Sequence, residues 1–538
     1  MKRIVWHLLI IISLALLHDQ NIFCQNRWSK SYFGNKDTPV NFIIEAYDKG
    51  NLMVGKYGAN YSKYNWLMKT DINGEIIWDK TIGDGENAIV FVDMAEDQAG
   101  NIYLAGSTLT YEPLGDPLIF KVNPCGEKEW CKVFFTDNDH DFSSCITLTP
   151  DDDIVIVLMF TNPEPWTDRI CLAKLTPSGE ILWRECYTSA DTSQRNEITY
   201  DIICTPDDGF LITGMCYYED PTEPNHWIPH PYLLKVDSAG TYEWESVVFK
   251  ETNLDGGAAF TTVVSPDSLY YYSSISHYKY GAEEDLSLPA LVKIDLAGNV
   301  ISVYDIIDGT KYGKLSYAQF LNDSTLAASA GWGNSDADLW SRAVIIDTLG
   351  NLLNSTVLMQ DIYTSILQVA YDGKLVYASN TYQNNQFDFY LTKLNQNLED
   401  DTLYTFPFTY DSLCSYQIES DTIVQDDCEL IVGIEEEEET GGKGEEEIRG
   451  ELKIWPNPCR GMLNVECLML NEGKNCELII YDILGRPAQV TVISSPLEGG
   501  GREGGWRLDV SALPPGVYFI SILQDGRRVA GGKFVVSR

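Results

Sequence analysis

Lys69-Thr70-Asp71-Ile72-Asn73-Gly74, followed by Trp78, decides the fold, because the chain repeats this pattern along its length. It returns as Lys121-Val122-Asn123-Pro124-Cys125-Gly126 with Trp130, as Lys174 to Gly179 with Trp183, and as Lys235 to Gly240 with Trp244. Weaker copies keep Lys293, Asp295 and Gly298 with Ser302 in the tryptophan slot, then Asp347 and Gly350, then Lys393 and Asn395 with Leu398 in the glycine slot. The slots at 74, 126, 179, 240, 298, 350 and 398 recur about every 50 residues, a period that marks a repeat architecture.

A second element precedes every copy: an acidic or glycine turn feeding a short apolar run. Examples are Asp48-Lys49-Gly50 before Leu52-Met53-Val54, Asp207-Asp208-Gly209 before Phe210-Leu211-Ile212, and Asp372-Gly373 before Leu375-Val376-Tyr377. The second unit divides into four strands, Ile89 to Met94, Asn101 to Ser107, Pro117 to Val122 and Glu127 to Phe134. Four short strands joined by tight turns make a propeller blade, and blades bury their faces by stacking round an axis. The expected body is a seven-bladed β-propeller over 40–406. Six or eight blades, a stacked sandwich or a β-solenoid are the alternatives.

The repeat residues have structural work to do. Gly74, Gly126, Gly179, Gly240 and Gly298 sit where a hairpin needs positive φ, and Asp71, Asp237 and Asp295 can accept from turn amides. Trp78, Trp130, Trp183 and Trp244 hold one position in successive blades, which points to packing between blades.

Two insertions break the regularity: Glu219 to Pro231, with Trp227, His226 and His230, and His277 to Leu288, with Tyr278, Tyr280 and acids. Insertions of this kind emerge on one face and build binding surfaces. Trp227, His230, Tyr278 and Tyr280 are therefore the candidate ligand-binding residues, suited to a sugar ring stacked on aromatics. Catalysis has no comparable signal. Phosphate loop, H-E-x-x-H and G-x-S-x-G motifs are absent, and no catalytic pair, metal set or cofactor can be named. Asp137-Asn138-Asp139-His140-Asp141 has alternating acids, but Phe142 and Leu148 replace the glycine and glutamate of a calcium loop.

The whole chain has 538 residues and a formal charge of −41, from 38 Lys and Arg against 79 Asp and Glu. Such a balance repels phosphate backbones and excludes nucleic acid as a partner. Lys2 and Arg3 precede an apolar run from Ile4 to Leu17, too short for a comfortable span, so residues 1–25 read as a signal peptide. No later run is long and apolar enough to span a membrane. Cys24 admits a lipoprotein alternative, but Asn21-Ile22-Phe23 lacks the small-residue approach of a lipobox. Twelve further cysteines permit disulfides after export, and Cys414 with Cys428 would close a modest loop in the connecting strip 407–433.

After Gly433 the composition changes. Glu435 to Glu439 and Glu445 to Glu447 flank a Gly-rich stretch, so 434–449 reads as an acidic linker. Residues 450–538 carry about seven strand candidates, the content of a small immunoglobulin-like β-sandwich. In order they contain Lys453-Ile454-Trp455-Pro456-Asn457-Pro458, Ile480-Tyr481-Asp482-Ile483-Leu484-Gly485-Arg486, Asp509-Val510-Ser511-Ala512-Leu513, Gly516-Val517-Tyr518-Phe519 and Lys533-Phe534-Val535-Val536. This series resembles the type A C-terminal sorting domain of the Bacteroidota type IX secretion system. The resemblance implies secretion or display on the outer-membrane surface, with the secretion machinery as partner. It places the sorting motif on Pro456, Asn457, Pro458, Gly485, Arg486, Gly516, Tyr518 and Lys533. The expected function is a secreted propeller that binds an extracellular protein or glycan. The alternative is an extracellular hydrolase or lyase with its site in the propeller channel.

Overall fold

The computed structural model describes residues 28–431, apart from loop positions 33–36, 58–62, 84, 86–87, 110–114, 135–140, 164–165, 190–193, 221–225, 251–254, 280–285, 307–311, 334–339, 360–361, 384–385, 406–407 and 425–427. In the C-terminal unit it describes 452–536, apart from 456–458, 460, 469–475, 483–490, 495–502, 515 and 525–526. Residues 1–25 and 434–449, expected from sequence to be a signal peptide and an acidic linker, lie outside the described residues. The chain divides into two compact units, 1–434 and 435–538.

The first unit is a seven-bladed propeller. Blade 1 comprises Val40–Glu45, Asn51–Lys56, Asn65–Thr70 and Ile76–Ile82, antiparallel from the inside outward. Blade 2 runs Ile89–Glu96, Ile102–Thr108, Asp116–Val122 and Lys128–Phe134, close to the division expected from sequence. Blades 3 to 6 repeat the plan from inner strands Phe142–Leu148, Gln194–Cys204, Asp255–Val264 and Tyr312–Asn322. Blade 7 takes three strands from Ile362–Val369, Leu375–Gln383 and Gln386–Leu394, and its outermost strand is Ser29–Tyr32 from the other end of the chain. The ring is therefore closed by β pairing, and the propeller begins before the expected residue 40.

Successive blades lock to one another in two kinds of place. At the outer rim an aromatic of one blade lies under the turn glycine of the following one: Trp28 under Gly74, Trp130 under Gly179, Trp183 under Gly240, Trp244 under Gly298 and Tyr304 under Gly350. These glycines also hold φ between 74° and 86°, so both the backbone and the neighbour exclude a Cβ. In the last copy Leu398 adopts the same left-handed region at φ 60°. At the inner rim a side chain reaches the next blade's backbone. Asp93 Oδ2 accepts from Ile146 N at 2.9 Å, Asp201 Oδ2 from Thr262 N at 2.9 Å, Thr261 Oγ1 from Ala318 N at 3.1 Å, and Gln319 Oε1 from Val369 N at 2.8 Å.

The strip after blade 7 corrects one expectation. Cys414 and Cys428 do not bond to each other: Cys414 pairs with Cys125, and Cys428 with Cys131. The physical reason is that the strip extends along the outer edges of blades 1 and 2. Asp421–Ile423 adds in parallel to the outer strand of blade 1, and Glu429–Ile431 to that of blade 2. An extended strip carries its two cysteines apart and delivers each to a different partner. Lys80 bonds Asp421 at 2.6 Å, Lys132 bonds Glu429, and Lys69 is held at 2.6 Å by both Asp48 and Asp411. A third disulfide, Cys171–Cys186, crosses two strands of blade 3.

The C-terminal unit contains a four-stranded and a three-stranded sheet. Leu452–Trp455, Met462–Leu468, Glu503–Asp509 and Thr491–Ser494 form the first, in that spatial order. Cys476–Asp482, Gly516–Gln524 and Arg527–Val536 form the second. Leu463, Val465, Trp506 and Leu508 from one sheet join Ile480, Tyr518, Ile520 and Val536 from the other in one buried core.

Candidate site at the channel mouth

Antiparallel blades sort their connections onto two faces. On one face lie the tight turns between first and second strands and between third and fourth. Here the acids of the repeat serve the backbone: Asp71 Oδ1 accepts from Asn73 N at 2.8 Å and Glu75 N at 2.7 Å, and Asp237, Asp295 and Asp347 do the same in their blades. The turn acids thus have a structural use. The opposite face receives the second-to-third-strand loops and the blade-to-blade connections. Both insertions singled out from sequence open on this face, on adjacent blades 4 and 5.

The channel wall is shaped by β-bulges. Every inner strand shifts register, skipping Asn41, Val92, Ser144 and Phe260 in blades 1, 2, 3 and 5, positions 196–197 and Tyr200 in blade 4, positions 317–318 and Leu321 in blade 6, and positions 363–364 in blade 7. A bulge re-aims the extra side chain. In blades 4 and 5 this brings Tyr200 and Phe260 together, with ring centroids 5.6 Å apart. Tyr200 is 40% exposed and its hydroxyl donates to Met215 Sδ at 3.8 Å. Desolvation, with Tyr217 and Tyr278 nearby, pushes its pKa up to about 12. Lys314, on the inner strand of blade 6, sets its ammonium 5.2 Å from the Phe260 centroid, and burial lowers its pKa.

Of the residues predicted from sequence, Tyr278 belongs to this cluster through Tyr200. Trp227 stands opposite Glu219 at the end of the blade 4 hairpin, partly buried. His230 is buried within that hairpin, Nδ1 3.3 Å from Val248 O and its ring edge-on to Tyr218; burial lowers its pKa. Tyr280 and positions 137–140 lie outside the described residues. Sequence reading missed Tyr200, Phe260 and Lys314, which sit in ordinary-looking strands. The signal it could have used is a pair of aromatics at the same place in two consecutive inner strands.

His277 heads the second insertion and has a different environment. Its Nδ1 lies 2.6 Å from Asp305 Oδ1, its Nε2 3.3 Å from Asp255 Oδ1, and Phe249 stacks on it at 4.3 Å. Burial would raise the Asp305 pKa, but His277 and Lys279, the latter at 2.6 Å, outweigh it and hold the carboxyl low. With both nitrogens engaged, this histidine ties the inner and outer strands of blade 5 together. Further in, Asp93 and Asp201 are pushed up to about 8 and about 6 by burial. Each accepts from the next blade's backbone, and the charge of Asp201 adds to the upward push on Asp93. Among the described residues no three His, Cys, Asp or Glu side chains gather as metal ligands.

In the tail, Pro456, Asn457, Pro458, Gly485 and Arg486 lie outside the described residues. Gly516 opens the strand Gly516–Gln524, and Lys533 lies in Arg527–Val536. Tyr518 is buried and donates to Pro514 O at 2.9 Å.

Residues 453–537 match the family described as the secretion system C-terminal sorting domain. No curated protein matches the chain. Solved structures similar to it include an ulvan lyase of a polysaccharide lyase family, with 9% identity, TM-score 0.46, and 69% of this chain and 96% of that chain covered. A protein of unknown function from Dyadobacter fermentans has 11% identity and TM-score 0.42, covering 68% and 97%. A Penicillium chrysogenum α-L-arabinanase has 13% identity and TM-score 0.38, covering 56% and 92%. None of these transfers a residue role or an activity. Among the described residues no helix is long and apolar enough to cross a membrane. The chain joins a seven-bladed β-propeller to a secretion-system C-terminal sorting domain, the organisation of a secreted or cell-surface protein consistent with a type IX secretion substrate.

Proposed function

We propose that the propeller recognises an extracellular glycan at the channel mouth lined by blades 4, 5 and 6. The observation that carries this is the Tyr200–Phe260 ring pair, set at the bulges of two inner strands and with Tyr278 nearby. A sugar presents an apolar C–H face to such rings, while tyrosine hydroxyls meet its own hydroxyls. Trp227, at the end of the blade 4 hairpin, stands on the same face. For the tail, the motif residues support the type A class of sorting domain, and its two sheets sharing one core support an immunoglobulin-like sandwich.

Calorimetric titration of the secreted protein with a panel of neutral and acidic oligosaccharides tests the reading. Phe260→Ala and Tyr200→Ala should each weaken binding by about tenfold or more, roughly 1.4 kcal/mol, with the β-sheet circular dichroism unchanged. Retention of full affinity by both variants would remove the site. A second reading keeps the same mouth and adds turnover as an extracellular hydrolase or lyase. The observation favouring it is that a phenol and an ammonium, both with displaced pKa values, share one wall. New reducing ends, or absorbance from a new double bond, would separate turnover from binding.

A further inference from the structure

Many lysines of this propeller are matched to acids. Lys69 has Asp48 and Asp411, Lys235 has Asp207 and Glu243, and Lys80 reaches across to Asp421. Lys293 sits 3.6 Å from the Tyr270 centroid and helps to lower the Asp267 pKa. Lys314 departs from this pattern. Among the described residues no carboxylate lies within ion-pair distance of its ammonium, and its neighbour is the Phe260 face. Burial lowers its pKa with no acid opposing the shift. In a chain of charge −41, a partly buried cation kept away from carboxylates is unusual. A desolvated charge without a counterion is costly, and a phenylalanine face offsets only part of that cost. An anion arriving at Lys314 would restore the missing partner.

We propose that Lys314 reads a negatively charged group on the bound glycan, so that the ligand is an acidic polysaccharide bearing uronate carboxylates or sulfate esters. The inference rests on the glycan reading above and adds the ligand class to it. The geometry divides the labour: Tyr200 and Phe260 take the apolar face of the ring, and Lys314, 5.2 Å from the Phe260 centroid, takes the substituent. The two parts are separable. Aromatic stacking is indifferent to charge, whereas an ammonium left without its anion discriminates against neutral analogues.

The experiment uses the secreted full-length protein and four probes: an oligogalacturonate, its fully methyl-esterified neutral counterpart, a sulfated galactan oligosaccharide and inorganic sulfate. Affinity is read by calorimetry. The acetylation rate of Lys314, relative to the other lysines, is read by peptide mass spectrometry. At least one acidic oligosaccharide should bind about tenfold or more tightly than the neutral one and slow acetylation of Lys314 selectively. Which acidic probe does so distinguishes carboxylate from sulfate. Lys314→Met should abolish the preference for charge, Lys314→Arg should keep it, and Phe260→Ala should weaken acidic and neutral ligands alike. Equal binding of acidic and neutral probes, or an undiminished preference in Lys314→Met, overturns the assignment of Lys314 while glycan binding stands. No binding of any oligosaccharide, with Lys314 acetylation unaffected, overturns both. The acetylation readout on the unaltered protein serves even if a variant fails to fold.

Discussion

A methyl group placed on Gly240, in the turn of blade 4, would stand 2.8 Å from Cζ3 of Trp183, on the outer strand of blade 3. The same contact recurs between blades round much of the ring, and it explains why the glycine and the tryptophan recur together in the repeat. Gly240→Ala therefore meets two penalties, a backbone at φ 83° and the indole of the neighbouring blade. A loss of about 1–3 kcal/mol from backbone strain alone is expected. Gly331→Ala is the contrast, since among the described residues nothing lies within 4 Å of its Cβ position and its φ is not left-handed. Calorimetric unfolding should show a lower transition for the first variant and little change for the second. Equal shifts would refute the inter-blade explanation.

The strip along blades 1 and 2 depends on oxidation. Non-reducing peptide mapping should recover Cys125–Cys414, Cys131–Cys428 and Cys171–Cys186. A Cys414–Cys428 peptide would contradict the extended path. Replacing Cys414 and Cys428 with serine should lower stability by about 2–4 kcal/mol for each bridge lost. It should also speed hydrogen exchange in Asp421–Ile423 and Glu429–Ile431, the strands that the bridges hold to their blades.

Asp93 makes stability depend on pH in a definite direction. Its carboxyl is pushed up to about 8, mainly by burial, against a usual value near 4, so between these limits the folded chain holds a proton that the unfolded chain has released. Stability contributed by that neutral form is present in acid and is lost as pH rises toward 8. Asp201, at about 6, adds a similar loss that ends at lower pH. Asp93→Asn keeps an acceptor for Ile146 N and removes the ionisation, so its urea midpoint should fall less than that of the unaltered protein between pH 6 and pH 9. Parallel pH profiles would exclude Asp93 as the source.

Removing residues 450–538 should leave export to the periplasm intact and stop passage to the surface, since the sorting-domain match lies within that segment. Fractionation of a host with the matching secretion system measures this. A folded truncation retained in the periplasm is the expected result. Its arrival in the medium at the full-length rate would contradict a sorting role.

Much of the architecture was legible because blade formation is local. Strand, turn and next strand lie within about 50 residues, and the turn glycine, its acid and the apolar alternation all act over that range. The tail was legible for a similar reason, through ordered short motifs at strand ends. What the residues alone could not settle were the relationships made when distant segments meet. Ser29–Tyr32 finishes a blade whose other strands begin at Ile362, and Cys414 bonds a cysteine 289 positions away. Leu398 fills a glycine position because the turn imposes the conformation on whatever residue stands there. The candidate site follows the same logic. Tyr200, Phe260 and Lys314 come from the inner strands of three blades and meet only because closure of the ring makes those strands neighbours. Local pairing energies choose the strands, whereas closure of the ring chooses the neighbours, and the neighbours give a channel wall its chemistry.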